Sequence, residues 1–163
     1  MSLFEKPGYQ WRETFFVLFQ SENRPTANQM EESMRELGKR FLVSDTHADE
    51  QGMIESITIE CPDDSAAMDV SCVVGEEVQE QIPNLLEELH ANTETEQERK
   101  TLRRLNKSTA RLDVFHFECP ADAFVDPDNE DEFMDPGGLF IVLDQLADLC
   151  QGIVVDPQAG SLL

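Results

Sequence analysis

Long hydrophobic runs are missing from this 163-residue sequence. No stretch reaches the ~18 consecutive apolar residues that a membrane-spanning helix needs. Residues 1–12 lack the basic and then apolar layout of an export signal, and the apolar run Phe15–Phe19 is too short for the core of one. We therefore expect a protein that works in the cytoplasm without a membrane anchor.

Closely spaced cysteines are missing as well. The four cysteines are Cys61, Cys72, Cys119 and Cys150, and none forms a CxxC pair. This spacing argues against a zinc knuckle, a redox motif and the disulfide framework of a small secreted protein. We expect four reduced thiols with structural roles, and neither a bound metal nor a cofactor.

Basic residues are scarce, since 12 Lys and Arg stand against 34 Asp and Glu, for a net charge of −22. Phosphate binding needs clustered cations, so the charge argues against nucleic acid and against anionic membranes as ligands. A basic protein partner is compatible with such a field. The alternative is that the acids only keep the protein hydrated and soluble.

What is present is enough for one domain. At this length the chain can bury about 70% of the surface that it exposes when unfolded, and 40% of its residues are hydrophobic. We expect a single α+β domain over 1–163, with a loosely tied N-terminal arm (1–12) anchored by Trp11 and an acidic loop (122–137).

The most strongly patterned stretch is Gly138–Asp156. Its apolar residues follow a helical period, with Leu139, Leu143, Leu146 and Cys150 in one stripe. We expect Gly152 to end this helix in the left-handed conformation. Ile153–Val155 then predicts a short buried strand.

The preceding sequence predicts three strands, a polar loop and three helices. The strands are Thr14–Gln20 and a hairpin of Ile54–Cys61 with Ala66–Val74, and the loop is Asp45–Gly52. The helices begin at Thr26 with a capping box to Gln29, after Gly75 with a break or kink near Ile82 caused by Pro83, and at Thr93. A further strand, Arg111–Cys119, follows a helix rich in basic residues that we interpret as a solvated face.

The element order is that of a ferredoxin-like βαββαβ antiparallel sheet with an appended C-terminal helix and strand. An α+β sandwich with an extra strand at 41–44 is the alternative. If the strand Ile153–Val155 pairs in parallel beside Arg111–Cys119, right-handed crossovers put every helix on one face. The other face would then be bare, which predicts a homodimer through it. If that strand instead lies at the far edge, the last helix covers the second face.

His116 and Glu118 are the best catalytic pair in the sequence, because alternate strand positions share one face and a histidine beside a carboxylate can serve as a general base. The alternation of a half-buried strand explains the same pattern. The acidic loop offers a weak cation site at Asp126, Asp128, Glu130 and Glu132. Its spacing fails the EF-hand pattern, since Asp131 stands where glycine is required.

For function, the sequence favours a non-catalytic binding or regulatory module, since no complete catalytic set is visible. An acidic inhibitor or immunity-type protein that neutralises a basic protein partner is the first alternative. A small hydrolase using His116 and Glu118 is the second.

Overall fold

The computed structural model describes residues 8–118 and 137–163. Within them the chain forms one antiparallel sheet of seven strands and four α-helices. In chain order the elements are β1 (Gln10–Phe19), α1 (Ala27–Glu36), β2 (Leu42–Ala48), β3 (Ile54–Cys61), β4 (Ala66–Val74), α2 (Glu76–Ala91), α3 (Glu96–Leu105), β5 (Ala110–Glu118), α4 (Gly137–Cys150), β6 (Ile153–Asp156) and β7 (Ser161–Leu162). The predicted α+β class is confirmed.

The strand order is β2-β3-β4-β5-β1-β6-β7, which is not the ferredoxin order. The predicted ferredoxin-like topology is therefore wrong. β1 lies between β5 and β6, and the helix that follows it leads to β2 at the far edge of the sheet. Sequence periodicity identifies strands but carries no information on which strands pair, so this arrangement was not predictable from the element order alone.

Residues Leu42–Ala48 form a strand where the sequence predicted a polar loop from Asp45 onward. The alternative with an additional strand after α1 is therefore closer to the structure. β2 pairs only with β3 among the described strands and carries register shifts after Val43 and His47. An edge strand has one side open to water, so it can be polar and bulged without losing stability.

The last strand also lies elsewhere than predicted. β6 pairs antiparallel with β1, with Leu18 opposite Ile153 and Phe16 opposite Val155, and not in parallel beside β5. β5 and β6 therefore run in the same direction on either side of β1. α1 connects β1 to β2, and α4 connects β5 to β6, toward the opposite edge of the sheet. Because β1 and β5 are antiparallel, two right-handed crossovers of this kind place both helices on the same face of the sheet.

The first face of the sheet is the one that α1 and α4 cover. Alternate residues of β1 and β5, such as Phe15, Val17 and Leu112, pack there against Met34 of α1 and Leu143 of α4. The helical stripe predicted for α4 is confirmed, since its members Leu139, Leu143, Leu146 and Cys150 are all buried. Exclusion of this apolar surface from water is the main stabilising contribution on this side.

The second face is not bare over its β1–β6 half. Leu18, Ile153 and Val155 pack there against the apolar stripes of α2 and α3, which include Leu85 and Leu102. The bare face from which a homodimer was predicted is therefore absent from this half of the sheet. The homodimer itself stays a prediction.

Two details of the helices differ from the sequence predictions, and a third agrees with them. α2 continues through Pro83 without a break. Pro83 is exposed, so the carbonyl oxygen that loses its backbone N–H donor is open to water, while Ile82 and Leu85 still pack in the core. α3 is capped by Thr95, whose hydroxyl accepts a hydrogen bond from the Glu98 N–H, and not by Thr93. The capping box of Thr26 and Gln29 at α1 is confirmed.

The end of α4 is a Schellman-type turn built on a residue other than the expected glycine. Gln151 adopts the left-handed conformation with φ of 53°, and the N–H of Gly152 donates to the Ala147 carbonyl at 2.8 Å. Glycine is required at position 152 for a different reason, because β1 leaves no room there for a side chain. A β-carbon on it would lie 2.7 Å from Val17 Cγ1 and 3.0 Å from the Leu18 carbonyl oxygen.

The N-terminal prediction is wrong in part. β1 already begins at Gln10, and Trp11 is 45% exposed, so its ring does not anchor the arm in the core. Its indole N–H donates to Thr14 Oγ1 at 3.1 Å. The acidic loop 122–137, except for its last residue, and Cys119 lie outside the described residues.

Candidate functional site

His116 and Glu118 lie on the first face of the sheet, as the sequence predicted. His116 stands opposite Glu13 of β1 and Met68 of β4 and is only 7% exposed. Its Nδ1 lies 3.4 Å from Glu13 Oε1, within ion-pair distance, but without the orientation of a hydrogen bond. The imidazole nitrogen is therefore buried beside a carboxylate and lacks a hydrogen bond.

Glu118 makes its ion pair with Arg12 and not with His116. Glu118 Oε1 lies 3.4 Å from Arg12 Nε. The register of β1 against β5 shifts between Trp11 and Glu13, so Arg12 is the additional residue of a bulge. Bulges re-aim side chains in this way near the ends of strands.

Burial lowers the pKa of His116 below its usual value, and the nearby carboxylates of Glu13 and Glu118 oppose this shift only in part. The imidazole is therefore neutral at physiological pH, which is the form a general base needs, but a lowered pKa makes it a weaker base. A hydrolase would also need a nucleophile or a metal ion within reach. Throughout 8–118 and 137–163, no group of three or more His, Cys, Asp or Glu side chains is arranged to hold a metal ion.

The weak cation-site candidates Asp126, Asp128, Glu130 and Glu132 lie outside the described residues, so their arrangement stays a prediction. The described cysteines are free thiols. Burial raises the pKa of Cys150 to about 12 and also raises the pKa of Cys72. A thiol with a raised pKa is a poor nucleophile at neutral pH, because the thiolate is the reactive form.

A groove of about 430 Å³ lies between α1 and α4 on the first face. Its polar lining comes from Gln29, Glu32, Ser33 and Glu36 of α1 and from Gln145 and Asp148 of α4, with Leu149 as the apolar part. The Gln145 side-chain amide donates to the carbonyl oxygen of Ser33 at 3.2 Å and to its hydroxyl at 3.0 Å, which joins the two helices at this groove.

The charge of this groove is of one sign. Glu32, Glu36 and Asp148 are exposed, and within the described parts of the chain none of them forms an ion pair. The neighbouring Arg35 turns to Glu31 instead, at 3.4 Å. Glu32 and Glu36 are one helical turn apart, a spacing at which like charges destabilise a helix by a few tenths of a kcal/mol. The groove therefore presents three unneutralised carboxylates beside an apolar side chain.

The sequence analysis missed this groove. The acids of this groove lie on the solvent side of each helix, but no sequence pattern indicated that the two helices are neighbours. Ser33 and Gln145 are 112 residues apart in the chain. The available signal was the pair Glu32 and Glu36, two like charges one helical turn apart on α1.

A smaller cavity of about 140 Å³ lies on the second face between β2, β3 and β4. Thr58 Oγ1 donates there to Asp69 Oδ1 at 2.6 Å, and both residues are buried. His47 is in hydrogen-bond contact with Asp45 at 3.2 Å and lowers the pKa of that carboxyl. The His47 side chain is 58% exposed and therefore solvated.

Comparison with protein-family models, with curated proteins and with solved structures gives no match to this chain. None of the helices in the described parts has both the length and the apolar character needed to span a bilayer. The geometry of the residues themselves is therefore the basis for a functional conclusion.

Proposed function

We propose that this protein is a non-catalytic binding module that recognises a basic protein partner through the acidic groove between α1 and α4. The observation that carries the proposal is the lining of this groove, with three exposed carboxylates and no Lys or Arg. Its volume of about 430 Å³ falls within the range of about 300–1,000 Å³ that is usual for ligand sites.

A Lys or Arg side chain matches both properties of the groove. Its alkyl part would pack against Leu149, while its charged end would lie among the carboxylates of Glu32, Glu36 and Asp148. Long basic side chains combine these two kinds of contact in many interfaces. The field of a chain with net charge −22 would in addition accelerate the approach of a basic protein.

Rigidity of the groove supports the same proposal. The two hydrogen bonds from Gln145 to Ser33 fix α4 against α1 before any partner binds. A preformed site loses less conformational entropy on binding than a mobile one. By contrast, the catalytic alternative depends on His116, which is buried in the sheet and does not line this groove.

The test is calorimetry with a peptide of about ten residues rich in Lys and Arg, at low salt. The variant E32Q/E36Q/D148N removes the carboxylates and keeps the shapes of the side chains. Its matched control, E76Q/E77Q/E80Q, removes three exposed acids from α2, so both variants have the same net charge. We expect the groove variant to weaken binding by at least about tenfold, a loss of about 1.4 kcal/mol, and the control to change it by less than about twofold.

Equal weakening by the two variants would mean that the peptide responds only to net charge, and it would overturn the assignment of the groove. The absence of measurable binding by the unmodified protein at millimolar peptide would overturn it as well. Replacement of Lys and Arg by Gln in the peptide should abolish binding, and retained binding would exclude recognition of charge.

A further inference from the structure

We propose that a further cavity, at the end of β1 beside α3, binds a small organic phosphate monoester. The cavity has a volume of about 250 Å³ and lies where β1 ends, β6 begins and the chain leaves α3. Its hydrogen-bonding groups are Arg104, Ser108, Gln20, Asn23 and Gln151, and its apolar lining includes Leu18 and Ile153. This site is separate from the α1–α4 groove, and the proposal does not depend on the function proposed for that groove.

The donors of the cavity are available. Ser108 is only 4% exposed and its hydroxyl makes no hydrogen bond to any residue in the described ranges, although it lines the cavity. Arg104 is exposed and likewise forms no ion pair with another described residue. A ligand oxygen in the cavity can therefore accept a hydrogen bond from this hydroxyl without displacing a protein partner.

The rim of the cavity is held in place by the neighbouring backbone. The N–H of Ser21 donates to Thr109 Oγ1 at 2.9 Å, and the N–H of Thr109 donates to the carbonyl oxygen of Phe19 at 3.0 Å. These bonds tie the turn after β1 to the segment after α3, which carries Ser108. The donors are therefore placed before a ligand arrives, which reduces the ordering cost of binding.

Basic side chains are concentrated at this point of an otherwise acidic protein. α3 and the residues after it carry five exposed bases, namely Arg99, Lys100, Arg103, Arg104 and Lys107. At about 100° per residue these five fall within an arc of roughly 140° on one side of the helix, which we call the basic ridge. Only Glu96 shares that arc. Arg104 lies at the margin of the basic ridge and lines the cavity, so it brings a positive charge to a point where the carbonyl ends of α3 and α4 carry partial negative charge.

The class of anion follows from the donors and the volume. Guanidinium, hydroxyl and amide groups approach from three different elements, and a phosphate group offers acceptor oxygens on several sides for them. The volume exceeds what an inorganic phosphate fills, and Leu18 and Ile153 offer apolar surface for an attached organic group. A phosphate monoester with a small apolar substituent matches both the hydrogen-bond donors and the apolar surface of the cavity.

The test is a titration of the full chain with phenyl phosphate, followed by amide chemical shifts in two-dimensional NMR. We expect the amides of Gln20, Asn23 and Ser108 to shift, with inorganic phosphate binding more weakly and phenol not at all. R104Q should weaken binding by about tenfold and S108A by about threefold. The matched control is R99Q, which removes the same charge from the basic ridge but does not line the cavity.

R99Q should change the affinity by less than about twofold. If R99Q and R104Q weaken binding equally, the basic ridge attracts the anion without a built site, and the proposal is overturned. No shift of the three amides at 10 mM phenyl phosphate, or shifts confined to the ridge residues, would overturn it too. Unfolding curves of the variants confirm that each is folded, as expected for an exposed arginine.

Discussion

Gln145 of α4 donates two hydrogen bonds to Ser33 of α1, one to its backbone carbonyl oxygen and one to its hydroxyl. Ser33 is buried, whereas Gln145 is half-buried at the groove, so these bonds are only partly shielded from water. They are the polar part of an interface between two helices that otherwise pack through apolar side chains on the first face of the sheet. They also set the distance between the carboxylates on the two sides of the groove.

Replacement of Gln145 by alanine should lower the free energy of unfolding by about 1–2 kcal/mol, because a buried acceptor and hydroxyl lose their donor. Urea denaturation measures the change. The control is Q79A on α2, which removes an exposed glutamine without a side-chain hydrogen bond among the described residues and should change stability by less than about 0.5 kcal/mol. Equal effects of the two substitutions would contradict the role of Gln145.

Gly152 should tolerate no side chain. In G152A the new β-carbon would meet Val17 Cγ1 and the Leu18 carbonyl oxygen, and a backbone atom cannot move aside cheaply. Forcing a methyl group into such a packed position costs about 1–3 kcal/mol. The melting temperature should therefore drop by several degrees, and an unchanged melting temperature would show that β6 can shift away from β1 without cost.

Gln151 should respond in the opposite direction. It adopts φ of 53° at the end of α4, a conformation that is strained for residues with a side chain and free of strain for glycine. We expect Q151G to raise the free energy of unfolding by up to about 1 kcal/mol. Glycine relieves the strain of the left-handed conformation, but it also increases the conformational entropy of the unfolded chain, which cancels part of the gain. A loss of stability would show that the hydrogen bond from its side chain to the Asp148 carbonyl outweighs the strain.

Cys150 should be protected from alkylation in the native protein. Its thiol is fully buried, and burial raises its pKa to about 12, so at pH 8 it carries almost no thiolate. Iodoacetamide followed by mass spectrometry should label Cys72, which is only half-buried, well before Cys150. In denaturant all four cysteines should react. Rapid native labelling of Cys150 would mean that α4 opens readily from the sheet.

Local elements were largely predictable from the sequence, whereas their arrangement was not. The period of the apolar residues in α4 and the alternation in the β3–β4 hairpin each specify one element, and both are found as predicted. β2 was missed because an edge strand with Asp45 and His47 need not alternate in hydrophobicity. Pairing of β1 with β6 brings together segments that are far apart in the chain, and periodicity does not encode such contacts.

The candidate site shows the same division. Sequence alternation correctly put His116 and Glu118 on one strand face, but the partners that determine their chemistry, Glu13 and Arg12, come from the other end of the chain. The bulge at Arg12 has no sequence signal that the analysis could use. The sequence pair alone predicted catalysis because it does not show that His116 is buried or that Glu118 forms an ion pair with Arg12.

His116 should make the protein less stable as the pH falls. Its folded-state pKa is lowered by burial, below the unfolded value of about 6.5. Below that unfolded value the unfolded chain takes up a proton that the folded protein resists, so stability is present at pH 7.5 and is lost as the pH falls toward and through the folded pKa. One proton limits the slope to about 1.4 kcal/mol per pH unit.

Urea denaturation at pH 7.5, 6.5 and 5.5 measures this effect for the unmodified protein and for H116Q, which keeps a polar side chain but does not titrate. The difference between the two curves isolates His116, because every other titrating group, including Asp113 with its raised pKa, is present in both proteins. E13Q removes the carboxylate that opposes the shift, so it should make the loss of stability steeper. Parallel curves for the unmodified protein and H116Q would show that His116 has the same proton affinity in the folded and unfolded chain, and therefore that its imidazole is reached by water.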